Sequence, residues 1–360
     1  MLPLPEYADL VLAFGSRFLI GAPQRYEELR ARYPGAQIVL SSTSGQIQDT
    51  EVTDECIVAT AVCFEHTSIR ADVLSILPDM DSAMAGQLLA HGLNRPALSH
   101  VFVVSDGQHV NGTALADGFN SHLPDGVLLT GGMAGDGPRF EQTLVGLNGP
   151  AEEGLIVALG FYGDRLRIGF GSEGGWSPFG PMRRVTRSEN NILYELNGQS
   201  ALGLYKRYLG PQADLLPSAA LRFPLSLTTA DGQHTLVRTI LSIDEATESM
   251  TFAGDVPEGT FVRFMRASYE ELVDGAEAAA ENSLSSDLAD ADLAICVSCV
   301  GRKIVMGQRT EDETEAVREV LGDTPTLTGF YSYGELAPRD AMAHCELHNQ
   351  TMTITLLKEV

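Results

Sequence analysis

Lysine is nearly missing from this chain of 360 residues: only Lys206, Lys303 and Lys358 occur, so 21 of the 24 basic residues are arginine. Against them stand 48 Asp and Glu, and the formal net charge is −24. A surface of that sign repels polyanions and anionic lipid, which argues against broad nucleic-acid binding and against electrostatic membrane attachment. An anionic ligand would need a local pocket of cations inside this field. Cysteine is sparse too. Cys56, Cys63, Cys296, Cys299 and Cys345 make an odd set on apolar segments, so buried free thiols are expected rather than a disulfide scaffold. No apolar run approaches the ~18–20 residues of a membrane span. No charged segment followed by an apolar one opens the chain, and a cytoplasmic protein without a leader is the expectation. Tryptophan occurs once, at Trp176.

Glycine is plentiful, at 36 residues, so tight turns should be common. At roughly 100–200 residues per domain the length suggests two domains. Short Val-, Ile- and Leu-rich runs at 8–15, 37–42, 56–64 and 100–105 predict strands, and apolar periodicity at 81–93 and 111–123 predicts helices. From 127 onward the pattern turns to hairpins. A Gly/Pro/Asp cluster at 210–217 is the best boundary, dividing the chain into domains 1–214 and 215–360. Beyond it strands are predicted at 221–227, 235–243, 260–265, 293–300, 303–306, 326–331 and 351–357, with helices at 269–282 and 311–321. The fold class expected is α/β, of α+β-like character: two tightly packed domains with mixed or antiparallel sheets covered by helices.

Several motifs carry candidate chemistry. The loop Gly131-Gly-Met-Ala-Gly-Asp-Gly137 is neither a P-loop nor a dinucleotide fingerprint, but its backbone N–H groups could form a small anion nest, with Gly132 and Asp136 as ligand contacts. Ser105-Asp-Gly-Gln-His109 holds the residue types of a serine hydrolase without the Gly-x-Ser-x-Gly elbow. Cys296-x-x-Cys299 and His344-x3-His348 have metal-ligand spacing. On a strand, however, the odd spacing of the two cysteines sends them to opposite faces, so buried thiols are favoured over a zinc site. His348 precedes a β-branched run and would share a strand face with Met352 and Ile354. That is the place of a core histidine, and also of a neutral imidazole in apolar surroundings that can ligate haem iron. The adjacent cations Arg302-Lys303 and Arg183-Arg184 read as ion-pair partners of the many carboxylates, or as anchors for a bound anion or haem propionate.

The chain resembles the FIST family of bacterial sensory proteins, built from a FIST N and a FIST C domain. The resemblance rests on Ser41-Ser-Thr-Ser-Gly-Gln-Ile47, Ser105-Asp-Gly107, Thr130-Gly-Gly-Met-Ala-Gly-Asp-Gly137 and Gly175-Trp-Ser-Pro-Phe-Gly180 in the first part. In the second it rests on Ser298-Cys-Val-Gly-Arg302, Gly329-Phe-Tyr-Ser-Tyr-Gly-Glu-Leu336 and His348-Asn-Gln-Thr351. Members commonly show a Gly-Cys-Ser-Thr start, and Ser41-Ser42-Thr43 lacks that Cys, which argues against a thiol role in that loop. The resemblance implies signal transduction through a small ligand, without catalysis, and a signalling partner such as a sensor histidine kinase. Stand-alone members are similar to nitric-oxide-sensing haem proteins. That likeness implies haem as cofactor, His348 as its axial metal ligand with His344 in reserve, and Arg302 as a propionate partner. The alternative is a haem-free module taking an amino acid or similar metabolite. Its pocket, between the domains, would be lined by Trp176, Phe330, Tyr331, Tyr333, Glu335 and Asn349, with Arg302 for a carboxylate.

Overall fold

The computed structural model describes residues 7–76, 80–216, 218–228, 232, 235–339 and 344–360. The chain is mixed α/β, and its strands form four sheets. The first is four-stranded, with Leu10–Gly15 and Gln37–Ser42 paired in parallel at its centre. In the second, six-stranded sheet Leu98–Ser105 and Leu128–Met133 are the parallel pair, and in the third, also six-stranded, Leu293–Cys299 and Thr326–Ser332 are. The fourth sheet is antiparallel throughout its described pairings and includes the long strand Ser177–Glu189. Three of the four sheets draw strands from both sides of residue 214. Gly334–Pro338 and Cys345–His348 extend the second sheet, whereas Gln46–Gln48, Glu51–Thr53 and Leu166–Glu173 extend the third.

Strand alternation sets the layers. Val101 and Val103 pack with Leu89, Leu115 and Phe119 of the helices Ser82–Leu93 and Gly112–Asn120, while Phe102 and Val104 point the other way. On that other side they meet Leu293, Ile295 and Val297 of the third sheet and Leu12 and Phe14 of the first. Ala294 and Cys296, on the opposite face of their strand, pack against the helices Tyr269–Ser283 and Glu311–Leu321. The centre is therefore helix, sheet, sheet, helix, with apolar residues removed from water in all three spaces. The helix Tyr269–Ser283 opens with a full capping box of Ser268 and Glu271. It lies unusually close to its sheet because its buried face is Ala276, Ala279 and Ala280 and because Gly171 faces it: a Cβ there would stand 2.0 Å from the Ala279 carbonyl oxygen.

Most of the predicted elements are present, and the departures have physical reasons. Residues 303–306 form part of the helix Val300–Met306 rather than a strand, since a short apolar run does not declare its period. The run from 348 onward is not one strand. Cys345–His348 lies in the second sheet and Met352–Glu359 in the third, with Gln350 at a φ of 65° turning the chain between them. His348 thus shares no strand face with Met352 and Ile354. Gly131 and Gly132 belong to the strand Leu128–Met133, not to a loop. The strand expected at 235–243 breaks into Thr235–Arg238 and Ile240–Asp244, and the one expected at 221–227 starts only at Leu225. The helix Pro23–Arg32 escaped the hydrophobic pattern because none of its residues is buried.

Replacing Gly171 by Ala should force the sheet and the helix apart and cost about 3 kcal/mol, in the range of overpacked cores. The matched change Gly198→Ala, at a φ of 71° with open space around it, should cost only about 1 kcal/mol. Guanidinium unfolding of the two variants measures the difference.

Candidate functional site

The carboxyl ends of four strands, Leu10–Gly15, Gln37–Ser42, Leu128–Met133 and Leu293–Cys299, are followed by residues that line one cleft of about 660 Å3. Crevices outside the carboxyl ends of parallel strands are where α/β folds hold ligands, because the departing loops are free of the ladder there. Ser16 and Phe18 follow the first strand, Thr43 and Ser44 the second, Arg139 the third, and Lys303 and Ile304 the fourth, while Asp54 and Glu55 complete the rim.

Two of these positions are cations held by carboxylates. Asp136 is fully buried; one of its oxygens accepts from Arg139 Nε at 2.8 Å and the other from Arg17 at 2.9 Å. Its second oxygen also lies 3.3 Å from the backbone N–H groups of Glu141 and Gln142. Arg17 reaches on to Glu141 at 2.6 Å. Asp136 is thus the organiser of the loop that follows Met133, and it aims Arg139, whose side chain keeps 39% exposure. Lys303 donates to the Ser44 carbonyl at 2.8 Å, pairs with Asp54 and lies over the Tyr331 ring. Beneath the loop, Tyr333 donates to the Gly137 carbonyl at 2.9 Å and stacks on Phe140 with ring centroids 4.3 Å apart.

The candidate residues do not form one pocket. Asp136 and Tyr333 back the cleft. Gly132 lies between sheets, where a Cβ would press on Val297 and Phe330, and Phe330 packs on Phe14. Arg302 is fully buried and spends its guanidinium on Glu313 at 2.7 Å and on the carbonyls of Leu272 and Gly174. Tyr331 donates to the same Glu313 at 2.6 Å. Arg302 therefore clamps the fold: four of its five N–H donors are spent inside it, and it lines neither the cleft nor the cavity around Phe140. Trp176 donates to the Gln350 carbonyl at 2.9 Å, and Asn349 is buried near Thr239. Glu335 is fully buried between Ser332 (2.5 Å) and Thr351 (3.0 Å), and burial pushes its pKa up to about 8. Sequence reasoning missed Arg17, Arg139 and Ser44. Only the Asp136-x-x-Arg139 spacing hinted at them, since Arg17 is 119 residues from its partner.

Haem iron needs an imidazole nitrogen directed at open space. His348 sits opposite Glu335 in the strand ladder, is 7% exposed, and its Nε2 donates to the Ala337 carbonyl at 3.0 Å. Burial holds its pKa down near 4, so the ring is neutral. It lines neither the cleft nor the neighbouring cavity around Phe140. As placed, His348 does not fit an axial ligand. His344 is apart from it, exposed, at a cavity of about 370 Å3 walled by Leu123, Val127 and Cys345. Among the described residues no group of three His, Cys, Asp or Glu is placed to hold a metal, and Cys296 is a buried thiol with its pKa pushed up to about 12.

Sequence comparison now bears on this architecture. Residues 9–199 match the model of the FIST N domain, more than half of the chain, and residues 201–338 match the FIST C domain. The chain belongs to the FIST family. FIST domains are signal-transduction sensors that bind small ligands. A search of curated proteins found no match to the chain. In this FIST protein the two matched regions meet at Ser200, whose side chain caps the helix Ala201–Leu209. No helix among its described residues is long and apolar enough to cross a membrane.

The buried carboxyl of Glu335 makes a pH prediction. Unfolded, it ionises near 4.5; folded, near 8. Between these values the fold keeps a proton that the unfolded chain has lost, so this group's contribution to stability falls as pH rises from about 4.5 to about 8. Glu335→Gln should flatten that decline and raise stability at pH 8 by an amount on the order of a few kcal/mol. Unfolding midpoints of both proteins at pH 5 and pH 8 read it out. Glu313→Ala, which strands Arg302 without its counter-charge, should cost about 3–5 kcal/mol at either pH.

Proposed function

We propose that this chain is a haem-free FIST sensor whose cleft binds a zwitterionic metabolite, an amino acid or close analogue, and that occupancy is passed to a signalling partner such as a histidine kinase. The observation that carries the reading is the charge pattern of the cleft. Arg139 and Lys303 stand on the same rim as Asp54 and Glu55, in a protein whose net charge of −24 would otherwise repel a carboxylate. A ligand carboxylate would take charge-assisted hydrogen bonds from Arg139 and Lys303, with the Ser44 hydroxyl beside them. Its ammonium would face Asp54 and Glu55. Phe18, Leu19 and Ile304 supply apolar surface for a side chain.

Arg139 stays tied to Asp136, a fully buried carboxylate that gives it one whole oxygen while Arg17 takes the other. Lys303 is freer, because its partner Asp54 is 64% exposed and such a pair contributes only ~0–1 kcal/mol. Ligand binding would then give Lys303 the ligand's carboxylate and Asp54 the ligand's ammonium, and shift the segment that follows the strand Glu51–Thr53.

A thermal-shift screen of amino acids against colourless protein should find saturable stabilisation, about 2.7 kcal/mol at a hundredfold excess over Kd. Arg139→Ala and Lys303→Ala should each weaken the hit tenfold or more. A stoichiometric Soret band in protein grown with haem precursor, lost in His348→Ala, would overturn the reading in favour of a haem sensor.

A further inference from the structure

Behind the segment 137–140, on the far side of Phe140 from the cleft, lies a second cavity of about 370 Å3. We infer that it is a separate binding site for an uncharged planar heteroaromatic molecule of nucleobase or nicotinamide size.

Its volume falls in the ordinary range of small-molecule sites, and it is chemically unlike the cleft. None of its lining residues is Lys, Arg, Asp or Glu. A charged ligand would lose its hydration there with no counter-charge to replace it. The wall toward the cleft is aromatic. Phe140 is held at a φ of 53°, which is uncommon for a bulky side chain, and its ring lies nearly parallel to Tyr333, at 17°. That stack offers a flat surface for a third ring.

The edges are polar. His109 Nδ1 is 3.2 Å from an oxygen of Asp106, a fully buried carboxylate that also accepts from the backbone N–H groups of Gln108, His109 and Gly154. The imidazole is thereby oriented, with Nε2 left to bond in the plane of a ligand. Facing it, Ser242 and Thr251 bring hydroxyls from the antiparallel sheet, able to donate or accept. An aliphatic ligand would leave these groups unpaired; a flat ring with nitrogen and oxygen at its rim pairs them. His109 comes from the FIST N region and the two hydroxyls from FIST C, so occupancy ties the two together. Because 137–140 also borders the cleft, binding at either site changes affinity at the other by the same factor.

The test titrates the full chain with adenine and with nicotinamide, followed by saturation-transfer NMR and calorimetry. At least one probe should bind saturably at one per chain. Phe140→Ala should weaken it tenfold or more. Ser242→Trp, which plugs the exposed mouth without touching the core, should abolish it while the melting temperature stays near that of the parent. The second variant keeps the test decisive if the first fails to fold. Absence of binding by both probes to the parent protein, or binding that Ser242→Trp leaves unchanged, would overturn the inference.

Discussion

Arg302 and Glu313 face each other at 2.7 Å with neither side chain exposed to solvent, and almost everything at the site is positioned by how that pair is satisfied. Desolvating two charges is costly, and their attraction offsets the cost only if the remaining donors and acceptors are filled. Here they are. Glu313 also accepts from Ser298 and Tyr331, and Arg302 also donates to the carbonyls of Gly174 and Leu272. The six residues come from two strands, three helices and the glycine turn before Trp176, so the pair fixes their mutual positions at once. Lys303 is the next residue along from Arg302. The clamp inside the fold is thus what sets the cation at the cleft, and a residue that touches no ligand decides where one is met.

Asp136 does the same from the other wall. A fully buried carboxylate with two arginines and two backbone N–H groups cannot give up a partner cheaply, so Arg139 is a fixture of the cleft and Arg17 of the wall behind it. This reconciles a cationic rim with a net charge of −24. Salt screens exposed charges over ~8–10 Å, while buried pairs such as Arg17–Asp136 are screened far less. Local geometry outweighs the global field.

How much of this was legible in the sequence follows from the range of each interaction. The helix Tyr269–Ser283 declared itself through Leu272 and its alanine stripe, and the core strands through β-branched runs, because periodicity is a local property. The interleaving of sheets was not legible. The pairing of Gly132 with Glu335, or of Gln46 with Phe330, joins residues hundreds apart and leaves no mark on either segment. Arg302 was read as an ion-pair partner or an anion anchor, yet nothing in the sequence pairs it with Glu313 in the helix expected at 311–321. His348 was misread as sharing a face with Met352 and Ile354 because the turn at Gln350 uses no Gly or Pro. The motifs that carried the family resemblance fared better: 41–47, 130–137, 298–302 and 329–336 come from opposite ends of the chain and all meet at or just beneath the cleft.

If the cleft takes a zwitterion, the physics of its four charges dictates where a signal can leave. Arg139 is held by a buried carboxylate, and the helix Val300–Met306 is anchored by Arg302, so neither wall shifts without exposing or stranding a buried charge. Asp54 is the exception. It is 64% exposed, and it lies between Glu51–Thr53, at the edge of the third sheet, and Ile57–Val62, at the edge of the first. Moving it from Lys303 to the ligand shifts a connection that bridges two sheet edges. An edge strand presents unpaired backbone groups, so a change there alters a surface a partner can read, while the layered core between the helices stays as it is.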